Sequence, residues 1–166
     1  YFLLEKLGGI RFLADSCGRD KLENEAFLQA RLSALQKNFG QVFVDLGVIN
    51  ANGKQIAYAG RFKLARADYA DAEWFRKAIQ RKYFISDVFL GLRGMPHFII
   101  AVRSSGTAGY WILRATVDFE AFTTLVENIR LGQTGFAFIL NNKGEAQKKP
   151  IRVSYTDIAS SKTLYA

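Results

Sequence analysis

The sequence predicts an α+β domain, an antiparallel sheet flanked by helices and preceded by a long N-terminal helix. Three observations predict it. Apolar residues recur at three- and four-residue steps through residues 1–39, the spacing of one helix face. From residue 41 onward the pattern changes to short runs rich in Val, Ile and aromatics, bounded by Gly and Asn, as strands are. These runs follow in the order strand, strand, helix, then three strands in hairpin succession. That order builds an antiparallel sheet, not the parallel sheet of alternating βαβ units.

In the leading segment the periodic set is Leu7, Ile10, Leu13, Leu28, Leu32, Leu35 and Phe39, with charged residues between. Gly8, Gly9 and Gly18 are places where the helix is free to bend or break, and Gly40 marks its end. At about 1.5 Å per residue the run would reach roughly 50 Å, longer than a domain of this size needs. Such an element is expected to lie along a partner or to connect distant parts. Residues 41–49 then read as a strand, Asn50-Ala51-Asn52-Gly53 as a turn, and 54–60 as a second strand. Residues 68–81 form a short amphipathic pattern with Trp74, Ala78 and Ile79 on one side. Strands follow at 83–90, 97–103 and 110–118, then a helix at 119–130 and a strand at 135–140, closed by the turn Asn141-Asn142-Lys143-Gly144.

Composition narrows the function. Of 166 residues 49% are hydrophobic and 14% aromatic, with 14 Phe against two Pro. A sizeable core is therefore expected, and wholesale disorder is excluded. No run of about 18 apolar residues occurs, so no membrane span is expected within this sequence. No signal peptide opens it either; a membrane receptor's anchors would lie outside these residues. The net charge of +8 raises a nucleic-acid reading. The basic residues are scattered, however, and no DNA- or RNA-binding motif is present. The densest group, Arg76, Lys77, Arg81 and Lys82, reads as a solvated helix face, with an anionic surface or ligand as the alternative. One cysteine, Cys17, excludes an intramolecular disulfide and a cysteine-rich metal site. It is expected as a small packed residue, the alternative being a bridge between two copies. The lone histidine, His97, has no HExxH or similar spacing around it. No catalytic residue, metal site or cofactor is expected.

Strand periodicity singles out a polar face. In 110–118, Trp111, Leu113, Ala115 and Val117 share one side, and Arg114, Thr116 and Asp118 share the other. The second set is unusually polar for a central strand. Asp87 shares a face with Ile85 and Phe89. Charged groups on inner strands need partners or water. A small polar cavity holding Arg114, Asp118 and Asp87 would supply them and suit a small anion, amino acid or zwitterion. The alternative is a structural salt bridge from Arg114 to Asp118 or Asp87.

Five segments carry a family resemblance. They are Phe43-Val44-Asp45-Leu46-Gly47-Val48-Ile49 with its Asn-Gly turn; Tyr69 followed by Trp74-Phe75; Ile85-Ser86-Asp87-Val88-Phe89-Leu90-Gly91 with Pro96-His97-Phe98-Ile99-Ile100-Ala101-Val102; Trp111 to Asp118; and Gly132 to Asn141. In order and spacing over residues 40–145 the chain resembles the Cache family, PAS-like extracellular sensors of bacterial receptors, and in particular the double-Cache sensors of histidine kinases. The resemblance implies a long leading helix in residues 1–39, a membrane-distal PAS-like sensor module in 40–131, and the opening of a membrane-proximal module in 132–166. It implies an extracytoplasmic, membrane-tethered sensor of a small molecule, a carboxylate or amino acid, without catalytic activity of its own. The leading helix carries more apolar positions than one sheet face can cover, which predicts a parallel homodimer packed partly along it. A chemoreceptor or diguanylate cyclase is the alternative parent.

By the same resemblance Tyr69, Trp74 and Phe75 would supply helix-side ligand contacts, core packing being the alternative for all three. Tyr69, Trp74, Asp87 and Asp118 fall near the places of an amino-acid-binding motif. The chain departs from that motif where an Arg is expected just before the Trp, since Asp71, Ala72 and Glu73 stand there. It departs again at Leu113-Arg114-Ala115-Thr116, where the lead-in to the last Asp is Gly-rich in that motif. Two readings outside this class compete on the residues. One is a metal-dependent hydrolase or lyase using Asp45, Asp87, Asp118 and His97; the other is a basic nucleic-acid-binding domain.

Overall fold

A computed structural model describes residues 2–62, 64, 67–90, 94–107, 109–127, 140 and 143–145. The chain divides into two compact units, residues 1–122 and 123–166. The expected strand at 135–140 and the expected second module at 132–166 lie outside the described residues, apart from Leu140 and 143–145.

The leading helical segment is present but divided. Helix α1 spans Phe2–Leu22 and contains Gly18 at φ 71°, ψ 165°, outside helical geometry. Helix α2 spans Glu25–Phe39, and Asn24 caps it by accepting from the Phe27 amide at 3.0 Å. Glycine adopts this positive φ without a Cβ penalty, so the run breaks there, and an Asn cap starts a new helix a turn later. The two helices then fold back on each other. A Cβ on Gly9 would lie 3.4–3.7 Å from the Leu35 and Phe39 side chains, and the Lys6 ammonium sits 4.0 Å above the Phe39 ring. The start of α1 therefore lies beside the end of α2, as in a helical hairpin, in place of one straight rod. The predicted stripe is the buried one: Leu7, Ile10, Leu13, Leu28, Leu32 and Leu35 all face inward, each contributing about 1.5–3 kcal/mol on burial.

Five antiparallel strands follow: β1 (Phe43–Asn50), β2 (Gln55–Gly60), β3 (Tyr83–Ile85), β4 (His97–Gly106) and β5 (Gly109–Asp118). Their order across the sheet is β2-β1-β5-β4-β3, which places β5 at the centre. Between β2 and β3 the predicted helix at 68–81 shrinks to α3 (Glu73–Ala78). Local hydrogen bonds at Asp68 explain the loss. Its carboxylate accepts from the Ala70 amide at 3.0 Å, and the Tyr69 amide donates to Gly53 O at 2.8 Å. Those bonds hold 68–70 extended against the Asn50–Gly53 turn and so compete with helix. Strand β3 ends at Ile85, not at 90, and Phe89 returns only as a single bridge to His97. Helix α4 (Phe119–Glu127) follows β5 directly.

The register sorts the sheet into two faces. Leu46 and Val48 pair with Ala115 and Leu113, which in turn face Ile100 and Val102. This wholly apolar face lies under the helical hairpin, with α1 on β4 and β5 and α2 on β1 and β2. The opposite face carries Ile49, Ile99, Ala101 and Ile112, packed against Tyr69, Trp74, Phe75 and Ala78 of the α3 region. Helices thus flank both sides, as the sequence predicts.

Candidate functional site

Beside that α3 cluster the same face turns polar. Arg114 sits in the middle of β5, opposite Gly47 on β1 and Ala101 on β4. Both neighbours are small, and the first is required to be. A Cβ on Gly47 would lie 3.1–3.2 Å from Arg114 Nη2 and Nε and would collide with Gln55 Oε1. The missing side chain lets the guanidinium lie close against β1. Arg114 is only 2% exposed, and Asp45, two residues before Gly47, is 0% exposed.

These two form a buried ion pair, Arg114 Nη2 donating to Asp45 Oδ1 at 3.2 Å. Nη2 also donates to Gln55 Oε1 at 3.1 Å. The other carboxylate oxygen of Asp45 accepts from the Tyr58 hydroxyl at 3.1 Å. The network then leaves the sheet by two routes. The Tyr58 hydroxyl accepts from the Phe62 amide at 3.3 Å, and the Gln55 side-chain amide donates to Leu64 O. Towards α3 the Tyr69 ring lies 5.1 Å from the guanidinium carbon, with the Trp74 ring edge-on to Tyr69 at 5.1 Å and Phe75 edge-on to Trp74 at 5.9 Å. Arg114 Nε is buried and has no hydrogen-bond acceptor among the described residues. A buried donor in that state costs about 1–3 kcal/mol.

The structure therefore brings together four of the six residues the sequence singled out, Tyr69, Trp74, Phe75 and Arg114. The other two stand apart. Asp118 is four residues further along β5, about 13 Å at strand rise, and its Oδ1 accepts from the Ala121 amide at 2.7 Å, capping α4. Asp87 is exposed and follows β3, two strands away from β5. Its carboxylate takes no part in the Arg114 network. Sequence reasoning missed Gln55 and Tyr58 and placed Asp45 only in the hydrolase reading. For Asp45 a signal existed: it is a charged residue inside the apolar run Phe43–Val48, as Arg114 is inside Trp111–Val117. Gln55 and Tyr58 gave none, because only strand register carries them to this face.

The hydrolase set does not converge. Asp45 is tied to Arg114, Asp118 caps α4, and Asp87 is at the surface. His97 opens β4 with its Nδ1 2.7 Å from Met95 O and its ring against Phe89. Among the described residues no group of three or more His, Cys, Asp and Glu side chains could hold a metal ion. Nor is any described helix long and apolar enough to cross a membrane.

No protein-family model matches this sequence, and no curated protein matches it. Solved structures do. The sensory domain of the Campylobacter jejuni chemoreceptor Tlp3 with isoleucine bound superposes with a TM-score of 0.69 at 12% identity, over 98% of this chain and 71% of that one. The ligand-binding domain of the Pseudomonas aeruginosa amino acid chemoreceptor PctB in complex with L-Arg gives 0.65 at 17%, over 88% and 57%. An extracellular domain assigned to a histidine kinase, rpHK1S-Z16, gives 0.53 at 19%, over 79% and 53%. At these identities the likeness is one of fold. The chain has the PAS-like α+β fold of bacterial receptor sensory domains, and it spans little more than half the length of the last two.

Proposed function

We propose that this chain is the extracytoplasmic sensing region of a bacterial transmembrane receptor, binding a small molecule on the sheet face beneath Tyr69, Trp74 and Phe75. The parent receptor we read as a sensor histidine kinase, on the sequence resemblance over residues 40–145. One observation carries the reading. A guanidinium is buried on the central strand under an aromatic wall, with its Nε donor unanswered. Groups of that kind fix the orientation of small ligands in otherwise apolar sites. The fold supports it, since the structural neighbours are sensory domains with isoleucine or L-Arg bound. We read the domain as sensing without catalysis, as in those neighbours. Residues 132–166 we read as the start of a second, membrane-proximal module. Homodimerisation we place along α1, where Leu4 and Phe12 are 63% and 71% exposed on one helix stripe.

A thermal-shift panel of amino acids, small carboxylates and their amides tests the reading. A ligand that binds the folded state raises its melting temperature with concentration. Arg114→Lys keeps a cation for Asp45 but loses Nε, so it should fold and lose the shift. A folded wild-type protein that no compound stabilises, or equal shifts in both proteins, counts against this site.

A further inference from the structure

The densest basic group of the sequence does not share one helix face. Helix α3 ends at Ala78, so only Arg76 and Lys77 belong to it. Each has a carboxylate beside it, Asp71 at 3.7 Å from Arg76 and Glu73 at 2.6 Å from Lys77. Arg81 and Lys82 fall in the turn between α3 and β3, and a third cation reaches that turn from β4. The Arg103 amide donates to Lys82 O at 3.0 Å, and its Nη1 donates to Ile79 O at 2.6 Å. All three are exposed. Among the described residues no carboxylate pairs with any of them. Two of the three are also backed by rings. The Arg81 guanidinium carbon lies 5.7 Å from the Phe84 ring centroid, and that of Arg103 lies 5.8 Å from Tyr110. Tyr110 is fixed in turn by its hydroxyl, which donates to Ala51 O at 3.1 Å. Like charges gathered around one turn repel each other, and counter-charge from outside the chain relieves that repulsion.

We propose that this turn is a docking surface for an acidic segment of another protein, whose carboxylates pair with Arg81, Lys82 and Arg103. A guanidinium already held by a carbonyl or an aromatic ring has less freedom to lose on binding, and its planar fork matches a carboxylate. Arg and Tyr are also the residues enriched where proteins meet. A phosphate polymer or an anionic membrane fits less well. Both present negative charge continuously, and the exposed carboxylates of Asp71 and Glu73 beside α3 would face it. A protein segment places a few carboxylates where the cations are and none elsewhere. The surface shares no residue with the Arg114 network, and the assignment does not depend on the sensing reading.

The test measures binding of a fluorescent oligoglutamate peptide at low salt by anisotropy. It compares the wild type with two double variants of equal net charge. Arg81→Gln with Lys82→Gln removes two cations of the turn; Lys21→Gln with Lys37→Gln removes two exposed cations of α1 and α2. The first should weaken binding by about tenfold or more, the range of a lost charged hydrogen bond, and the second by less than about threefold. Arg103→Lys, which keeps the charge and loses the fork, should also weaken it. Either single variant, Arg81→Gln or Lys82→Gln, replaces the double if the double does not fold. Equal losses in the two doubles mean that net charge alone binds the peptide, which overturns the assignment. It is also overturned if the wild type does not bind oligoglutamate. Tighter binding to polyphosphate or to phosphatidylglycerol vesicles, lost in the Arg81 and Lys82 double, gives the surface to phosphate groups and overturns the protein partner.

Discussion

Replacing Arg114 by methionine tests whether the pair at the centre of the sheet is a coupled unit. The substitution keeps much of the side chain's length and removes its charge. Two hydrogen bonds vanish, to Asp45 Oδ1 at 3.2 Å and to Gln55 Oε1 at 3.1 Å. The larger loss is that Asp45, fully buried, no longer has the guanidinium beside it. Breaking a buried pair from one side costs about 3–5 kcal/mol. For a chain of this size each kcal/mol moves the midpoint by about 2–4 °C, so melting should fall by roughly 6–20 °C. Adding Asp45→Asn removes the other half of the pair, and the double variant should regain about 2 kcal/mol or more relative to Arg114→Met. Urea denaturation followed by tryptophan fluorescence and circular dichroism, on all four members of the cycle, measures this. A cost below about 1 kcal/mol for Arg114→Met, or additivity within about 0.5 kcal/mol, refutes the argument. A stability change of this size also makes Arg114→Lys, not a truncation, the variant suited to reading ligand binding.

Three further outcomes are expected. Gly47→Ala should destabilise by about 1–3 kcal/mol through overpacking against Arg114 and Gln55; a neutral effect in denaturant titration would mean the guanidinium does not lie against β1. Asp118→Ala should lose about 0.5–2 kcal/mol as an α4 cap while Asp118→Asn keeps most of it, and loss of ligand shifts in the folded Asp118→Asn would return this residue to the site. Burial holds the Lys6 ammonium below its ordinary value of 10.5, opposed by the neighbouring Glu5 carboxylate. Between the lowered folded value and 10.5 the unfolded chain binds the extra proton, so stability should rise with pH across that window. In Lys6→Met the rise should flatten, which denaturation midpoints across the alkaline range would reveal.

Much of this molecule was legible before its structure. Periodicity is local, and local patterns predicted the inward stripe of α1 and α2, the Asn-Gly turn and the two faces of β5. They also put Arg114 opposite Trp111 and Leu113. Where local signals competed, the pattern misled. Trp74, Ala78 and Ile79 carry a helical spacing, yet the carboxylate of Asp68 and the Tyr69 amide had better local bonds outside a helix. Gly18 was visible as a place for a bend, but nothing local said that the second half would fold back on the first.

The identity of Arg114's partner belonged to the tertiary structure alone. Asp87 and Asp118 were nearer in sequence and of the right charge, whereas Asp45 lies 69 residues away. Alternation tells which face a side chain takes; it does not tell which strand lies alongside or at what register. Those follow from the order β2-β1-β5-β4-β3, which sets β1 beside β5 and brings Gly47 opposite Arg114. A pairing between strands so far apart in the chain is decided by how all five bury their faces together. The sequence by itself determined that a charged side chain would face inward from the central strand, and only the assembled sheet decided that a carboxylate would already be waiting there.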